Sequence, residues 1–242
     1  MTNEKSQLTA GQHRENYSNF MTSLINIRNE FAKIRELLYS KYPNWDKNQD
    51  ARLSVFQKSE YILMSALLGM MHVQFHLSFK EWWDKNINNL SDLDKQLFVT
   101  EFDMFLKIGF MQFLFSAIES TFRLLVQAID VTACNNGTAE FKSIYSFLFK
   151  RTNLKQYESL LDLLRNIRNS VHHNGIFCPR SGKNESITYK GVIYEFKVNK
   201  PIDCASWSFL ISLVPDLKQM LFDIIEFSEI SKIDHIIDPF HS

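Results

Sequence analysis

The sequence is poor in residues that interrupt helices or cross-link chains. It holds 7 Gly and 5 Pro among 242 residues, so long helices meet few breakers. Its three cysteines, Cys134, Cys178 and Cys204, are odd in number and lack the paired spacing of a zinc site. We therefore expect free thiols in a reducing, cytoplasmic compartment, and neither a structural metal nor a cofactor.

Long apolar runs are also scarce. The most apolar segment, residues 104–118, contains Lys107 and Gln112 and is too short to cross a bilayer. Residues 1–7 show no basic region followed by an apolar stretch, so we expect no signal peptide and no membrane partner. Apolar residues nevertheless make up 45% of the chain, and Phe alone contributes 21 residues. This composition favours a folded protein with an aromatic-rich core.

The formal net charge is zero, but the charge is unevenly distributed. Residues 142–200 hold 11 Lys/Arg and 4 Asp/Glu, whereas residues 201–242 hold 2 and 7. The zero total argues against a nucleic-acid partner, whereas the basic third would attract one. Chance clustering on a solvated surface explains the same numbers, so both interpretations stay open.

Apolar residues recur at helical spacing over most of the chain. The pattern predicts helices at about 20–38, 52–73, 91–129, 141–149, 154–173 and 206–233, the last with a bend at Pro215. A capping box from Ser78 to Glu81 predicts a further short helix that holds Trp82 and Trp83. β-branched and aromatic residues around Lys190-Gly191 predict a β-hairpin near residues 186–198. The fold class is therefore all-α with a small β-hairpin insertion.

The most distinctive segment reads Arg-Asn-Ser-Val-His-His-Asn-Gly and begins at Arg168. On a helical wheel, Arg165, Arg168 and His172 form a cationic ridge beside the apolar stripe that packs into the bundle. Asn169 and His173 point further out if the helix stays regular to its end. The segment thus gathers two guanidinium groups and two imidazoles at one helix end.

These side chains suit phosphodiester chemistry. A guanidinium group binds a phosphate through two parallel hydrogen bonds, and an imidazole exchanges protons near neutral pH. Together they can cleave RNA without a metal, because the imidazole takes the 2′-hydroxyl proton and the guanidinium stabilises charge on phosphorus. A structural interpretation stands beside this one, since cations near a helix C-terminus complement the helix dipole. Metal binding by His172 and His173 is disfavoured because adjacent helical residues diverge by about 100°.

The run from Arg168 to His173 resembles the signature of the HEPN superfamily. In that signature an Arg precedes a polar residue, often Asn, and a His follows four to six residues beyond the Arg. In this register the resemblance makes Arg168 and His173 the catalytic pair, with Asn169 as the polar residue. A register that joins Arg165 to His172 fits as well. Helical geometry favours His172 and the family spacing favours His173, so that choice stays open.

The family helix that packs against the motif often carries an acidic residue, and the segment around Glu119 resembles it. A buried Glu119 needs a partner. Arg123, one turn along the same helix, is the structural candidate, whereas Arg165 or Arg168 from the motif helix is the functional one. The supporting residues predicted around the catalytic pair are Asn169, His172, Arg165 and Glu119.

The resemblance covers about residues 95–235 and implies both a fold and an activity. It implies a HEPN-like helical bundle over residues 91–242, with residues 1–90 as an N-terminal helical region packed on that core. Active family members are metal-independent endoribonucleases that dimerise through the motif-bearing helices. Many belong to toxin–antitoxin or antiviral-defence systems. The resemblance therefore predicts a homodimeric ribonuclease with RNA as substrate and an antitoxin protein as partner.

Other interpretations stay open. Some family members keep the fold without cleaving and act as nucleotide-binding, RNA-binding or scaffold proteins, and an unrelated helical protein can carry the motif by coincidence. The hairpin is likewise either an RNA-contacting flap or a small cover over apolar core. As a flap it would use Lys183, Lys190 and Lys197, with Tyr189 and Tyr194 stacking on bases.

Overall fold

The computed structural model describes residues 17–87 and 89–239, and this part of the chain is mostly helical, as predicted. Its elements are α1 (Tyr17–Lys41), α2 (Ala51–His72), α3 (Lys80–Asn86), α4 (Asp92–Ile129), α5 (Phe141–Thr152), α6 (Glu158–Val171), β1 (Glu185–Tyr189), β2 (Val192–Phe196), α7 (Trp207–Glu226) and α8 (Ser228–Ser231). A π-helical turn, Val73–Leu77, continues α2, and a 3-10 turn, Lys155–Tyr157, precedes α6. In the described residues, no helix has the length and apolar character needed to span a membrane.

The long helix α4 begins at its predicted start, with Ser91 as the N-cap residue. The Ser91 hydroxyl accepts a hydrogen bond from the Asp94 amide at 3.1 Å, and the Asp94 carboxylate accepts one from the Ser91 amide at 3.2 Å. The capping box predicted at Ser78 is wrong. The Ser78 amide bonds to the Val73 carbonyl at 3.0 Å and closes the π-helical turn, and α3 begins only at Lys80 without a side-chain cap.

Helix α4 is the central helix of the fold, because α2, α3, α5 and α6 all pack on it. Helix α1 packs on α2 and α7. Where α4 meets α5, the Phe115 and Phe141 rings lie 5.0 Å apart, and the Phe122 ring lies 6.4 Å from Phe149. The abundant phenylalanines therefore do build an aromatic core.

The last helix is shorter than the predicted 206–233. Helix α7 ends at Glu226 because Phe227 takes an extended conformation (φ −60°, ψ 130°). Pro215, where the sequence predicted a bend, lies inside the helix. The short α8 and the residues after it then contact the start of α2 through backbone carbonyl groups. The buried Arg52 guanidinium donates to the Ile230 carbonyl at 2.9 Å and to the Ile233 carbonyl at 2.8 Å. This network links the start of α2 to the C-terminal part of the chain.

The hairpin forms around the predicted turn. Strands β1 and β2 pair antiparallel, with Glu185 opposite Phe196 and Tyr189 opposite Val192. Lys190 (φ 49°) and Gly191 (φ 77°) both take the left-handed conformation that a two-residue hairpin turn requires. Strand β1 packs against α6, which places the hairpin beside the motif helix.

Candidate active site

The motif helix α6 ends at Val171, two residues before the predicted end. The backbone then forms a tight turn, in which the His173 and Gly175 amides both donate to the Ser170 carbonyl at 2.9 Å. Asn174 (φ 56°) and Gly175 (φ 83°) complete the stop in the left-handed conformation. Because His173 lies in this turn, the helical wheel does not apply to it.

A cleft of about 460 Å³ opens at this end of α6. Its walls come from the second half of α4, the start of α5, the motif segment and the loop that follows Phe177. Phe115, Phe141 and Phe177 lie in these walls, although their side chains are almost fully buried. All six residues predicted for the site line this cleft: Glu119, Arg165, Arg168, Asn169, His172 and His173.

Of the partners predicted for Glu119, the one it contacts is Arg123, on the same helix. Its carboxylate accepts hydrogen bonds from Arg123 at 2.6 and 3.2 Å. The same guanidinium donates to the carbonyls of Gly137 and Ala139 at 2.6 and 2.8 Å. The pair therefore fixes the α4–α5 loop at the edge of the cleft, and its charges compensate each other.

Carboxylates of the hairpin and of α6 itself compensate the positive charge of Arg165. Its guanidinium donates to Glu185 of β1 at 3.2 Å and to Asp162 at 3.4 Å. Asn166, which is 1% exposed, donates to the same Glu185 carboxylate at 2.9 Å. The sequence prediction missed Asn166 and Glu185. The available signal for Asn166 was a polar side chain next to the apolar stripe of α6.

Arg168 differs from its neighbours because it makes no salt bridge within residues 17–87 and 89–239. Its guanidinium carbon lies 5.2 Å from the centre of the Phe115 ring, and one of its amino groups donates to Asn169 at 3.3 Å. Its Nε atom is buried and has no hydrogen-bond partner among the described residues. A guanidinium group that rests on an aromatic face without a counter-charge is available to an anion.

Both histidines are exposed in the cleft. Partial burial, the positive charge of Arg168 and the neighbouring His173 lower the pKa of His172 below its ordinary value. His172 therefore stays neutral to a lower pH than a free histidine does, and a neutral imidazole can accept a proton.

The other charged groups of the cleft are paired as well. Arg180 and Glu140 form an exposed pair at 2.9 Å on the rim, and Lys142 lies 3.2 Å from Asp162. The described residues contain no group of three or more His, Cys, Asp or Glu side chains arranged to hold a metal ion. Among the described residues, the cleft thus presents one uncompensated guanidinium and two imidazoles.

No family model, no curated protein and no solved structure matches the chain. The resemblance of the motif to the HEPN signature therefore stays a prediction.

Proposed function

We propose that the cleft binds single-stranded RNA and cleaves it without a metal, as a HEPN-type endoribonuclease. One observation carries the proposal: Arg168, which has no salt bridge among the described residues, shares a cleft with His172 and His173. The other cleft arginines, Arg123 and Arg165 among them, face carboxylates. Arg168 is therefore the group best suited to bind a phosphate that enters the cleft.

The two imidazoles supply the acid and the base. We assign His172 as the base because its pKa is lowered, so it takes the 2′-hydroxyl proton as O2′ attacks phosphorus. The bond from phosphorus to O5′ then breaks, and His173 in its protonated form gives O5′ a proton. Arg168 stabilises the negative charge on the non-bridging oxygens. The products are a 2′,3′-cyclic phosphate and a 5′-hydroxyl.

The remaining features have supporting places in this proposal. Asn169 holds the Arg168 guanidinium through its side-chain oxygen. A homodimer through the motif-bearing helices, a toxin or antiviral-defence role, an antitoxin partner and a cytoplasmic location are further implications of the resemblance.

Cleavage of a labelled single-stranded RNA in EDTA tests the proposal. We expect the wild-type protein to leave cyclic-phosphate ends. The variant Arg168→Ala should be slower by about 10² to 10³-fold, the usual cost of losing one donor to a developing charge. His172→Ala and His173→Ala should each lose about 10² to 10⁴-fold.

Arg151→Ala is the matched control, because Arg151 is an exposed arginine paired with Glu229 outside the cleft. It should cleave at the wild-type rate. RNA binding by the wild-type protein without product, even at high protein concentration, would assign the cleft to a non-catalytic RNA-binding protein. Equal cleavage by wild type and a folded Arg168→Ala variant would remove Arg168 from the mechanism.

A further inference from the structure

Helix α2 leaves one side uncovered, and that side is apolar. From Tyr61 to Phe79 the sequence contains no Asp, Glu, Lys or Arg. Tyr61, Leu68 and Phe75 follow one another at seven-residue intervals, and they are 60%, 58% and 52% exposed. On an α-helix, side chains at this spacing share one face, as Tyr61 and Leu68 do on α2, and this is the pattern of helices that pack against other helices. Phe75 lies in the π-helical turn that continues α2. A face that contacts only water normally carries charged residues.

Helix α4 contributes a second exposed row. Phe98 and Phe105 are also seven residues apart, and they are 50% and 67% exposed. Phe113 is 67% exposed about two turns further along. Helix α4 thus leaves large aromatic side chains in water beside those of α2.

The two exposed rows lie along the line where α2 and α4 touch. A Cβ atom added to Gly69 of α2 would lie 2.5 Å from the side chain of Leu106 of α4, so the two helices touch there. About one turn further along α2, the His72 ring lies 6.2 Å from the Phe102 ring, which lies 6.4 Å from the Phe105 ring. Helix α2 therefore runs antiparallel to α4, and the exposed residues flank their contact line.

We define the apolar face as seven residues that are each 40% to 67% exposed: Tyr61, Leu68, Met71, Phe75, Phe98, Phe105 and Phe113. Seven half-exposed side chains of about 200 Å² each leave about 700 Å² of apolar surface open. The largest apolar patch on a typical monomer is about 300–600 Å². A stable protein–protein contact buries about 800 Å² on each partner. The apolar face is therefore the size of one half of a dimer interface.

We propose that the apolar face binds the same face of a second copy of the chain. Two antiparallel helix pairs with apolar rows on both helices are complementary to themselves under a two-fold axis. Packing α2 and α4 of one copy against those of the other forms a four-helix contact.

Other occupants fit this face less well. The residues outside the described part, 1–16 and 240–242, contain only Leu8, Phe240 and Met1 as large apolar residues, too few to cover it. An anionic lipid surface attracts basic side chains. Residues 92–105 of α4 instead hold four Asp/Glu and one Lys.

The centre of the proposed contact is separate from the cleft, and only Phe113, about 9 Å along the α4 axis from Glu119, lies near it. Phe105 and Glu119 are fourteen residues apart on α4, which is about 21 Å along the helix axis. The contact therefore differs from the motif-centred dimer that the HEPN resemblance implies, and it stands whether or not the cleft cleaves RNA.

Sedimentation velocity of the full chain between about 1 and 100 μM tests the contact at concentrations that reveal a micromolar dimer. We expect the wild-type protein to sediment as a dimer. The double variant Leu68→Glu/Phe105→Glu should raise the dimer dissociation constant at least 100-fold. The control Leu37→Glu/Ile193→Glu changes two residues of similar exposure, 54% and 65%, on α1 and β2, and it should remain dimeric.

Three outcomes would overturn the proposal. The wild-type protein could remain monomeric up to 100 μM, or the apolar-face variant could stay dimeric, which would place the contact elsewhere. Monomeric wild-type protein that floats with phosphatidylcholine vesicles would assign the face to lipid. Circular dichroism and melting temperature verify folding. If the glutamate pair melts early, the milder pair Leu68→Ser/Phe105→Ser is measured in its place and must also weaken the dimer.

Discussion

The protonation state of His172 depends on its neighbours. Burial lowers its pKa most, followed by the positive charge of Arg168 and by His173. Removing the Arg168 charge stabilises the protonated imidazole, so Arg168→Gln should raise the pKa of His172 toward its ordinary value. Titration of the imidazole signals by NMR measures this change. Arg151→Gln, which removes an arginine charge outside the cleft, should leave the titration where it is.

The same shift predicts the pH dependence of the proposed reaction. A lowered pKa keeps His172 neutral at pH values where a free histidine is protonated, so the acidic limb of the cleavage profile should lie below the ordinary histidine pKa. The limb should move to higher pH in Arg168→Gln, in parallel with the NMR titration. A limb that stays fixed while the NMR pKa moves would show that another group is the base.

Residues within α6 were easier to predict than residues past its end. Arg165 and Arg168 share one side because successive residues of a helix turn by about 100°. His173 escapes this rule because it lies in the turn after Val171. Glu185, which pairs with Arg165, was not predicted, because its place depends on how the hairpin packs rather than on a local pattern.

At the scale of elements, the hairpin controls the charge of the cleft through Glu185. Its carboxylate accepts hydrogen bonds from Arg165 and Asn166. Glu185→Gln keeps the side-chain shape but removes the nearer of the two carboxylates that pair with Arg165, and Asp162 remains at 3.4 Å. If the cleft binds RNA, this variant should bind more tightly, and the slope of log affinity against log salt should steepen by at most about one because Arg165 becomes more available to phosphate.

Fluorescence anisotropy in a His172→Ala/His173→Ala background, which keeps Arg168 but lacks both proposed proton-transfer groups, measures the binding with cleavage suppressed. Glu195→Gln is the matched control, because it removes one negative charge from the same hairpin at an exposed position outside the cleft. An equal gain in affinity for both variants would attribute the effect to net charge alone. No gain for Glu185→Gln would show that Arg165 does not reach the RNA.

Some element boundaries were predicted and others were not. The start of α4 at Ser91 and the Lys190-Gly191 turn lie where the sequence predicts them, whereas α6 begins at Glu158, four residues after its predicted start. The ends of α6 and α7 came earlier than periodicity indicated. Apolar spacing continues past Glu226, but the carbonyls of the following segment bond to Arg52 of α2. Distant contacts of this kind override local periodicity.

At the scale of the molecule, the predicted division into residues 1–90 and 91–242 is bridged by Arg52. This side chain is fully buried, pairs with Asp50 at 2.6 Å, and lies 3.7 Å from the centre of the Trp45 ring. Its bonds to Ile230 and Ile233 connect it to the C-terminal segment. In the sequence Arg52 resembles any polar residue at a helix start, so its role depends on contacts that local patterns do not reveal.

This network predicts a large stability effect from one residue. Arg52→Ala leaves the buried Asp50 carboxylate without its counter-charge and two carbonyls without a donor, so the free energy of unfolding should fall by about 3–5 kcal/mol. Urea denaturation measures this free energy of unfolding. Arg151→Ala removes an exposed pair with Glu229 and should cost at most about 1 kcal/mol. Asp50→Ala/Arg52→Ala should cost less than the sum of its single variants, because neither charge is left alone. Strict additivity would show that the pair does not act as a unit.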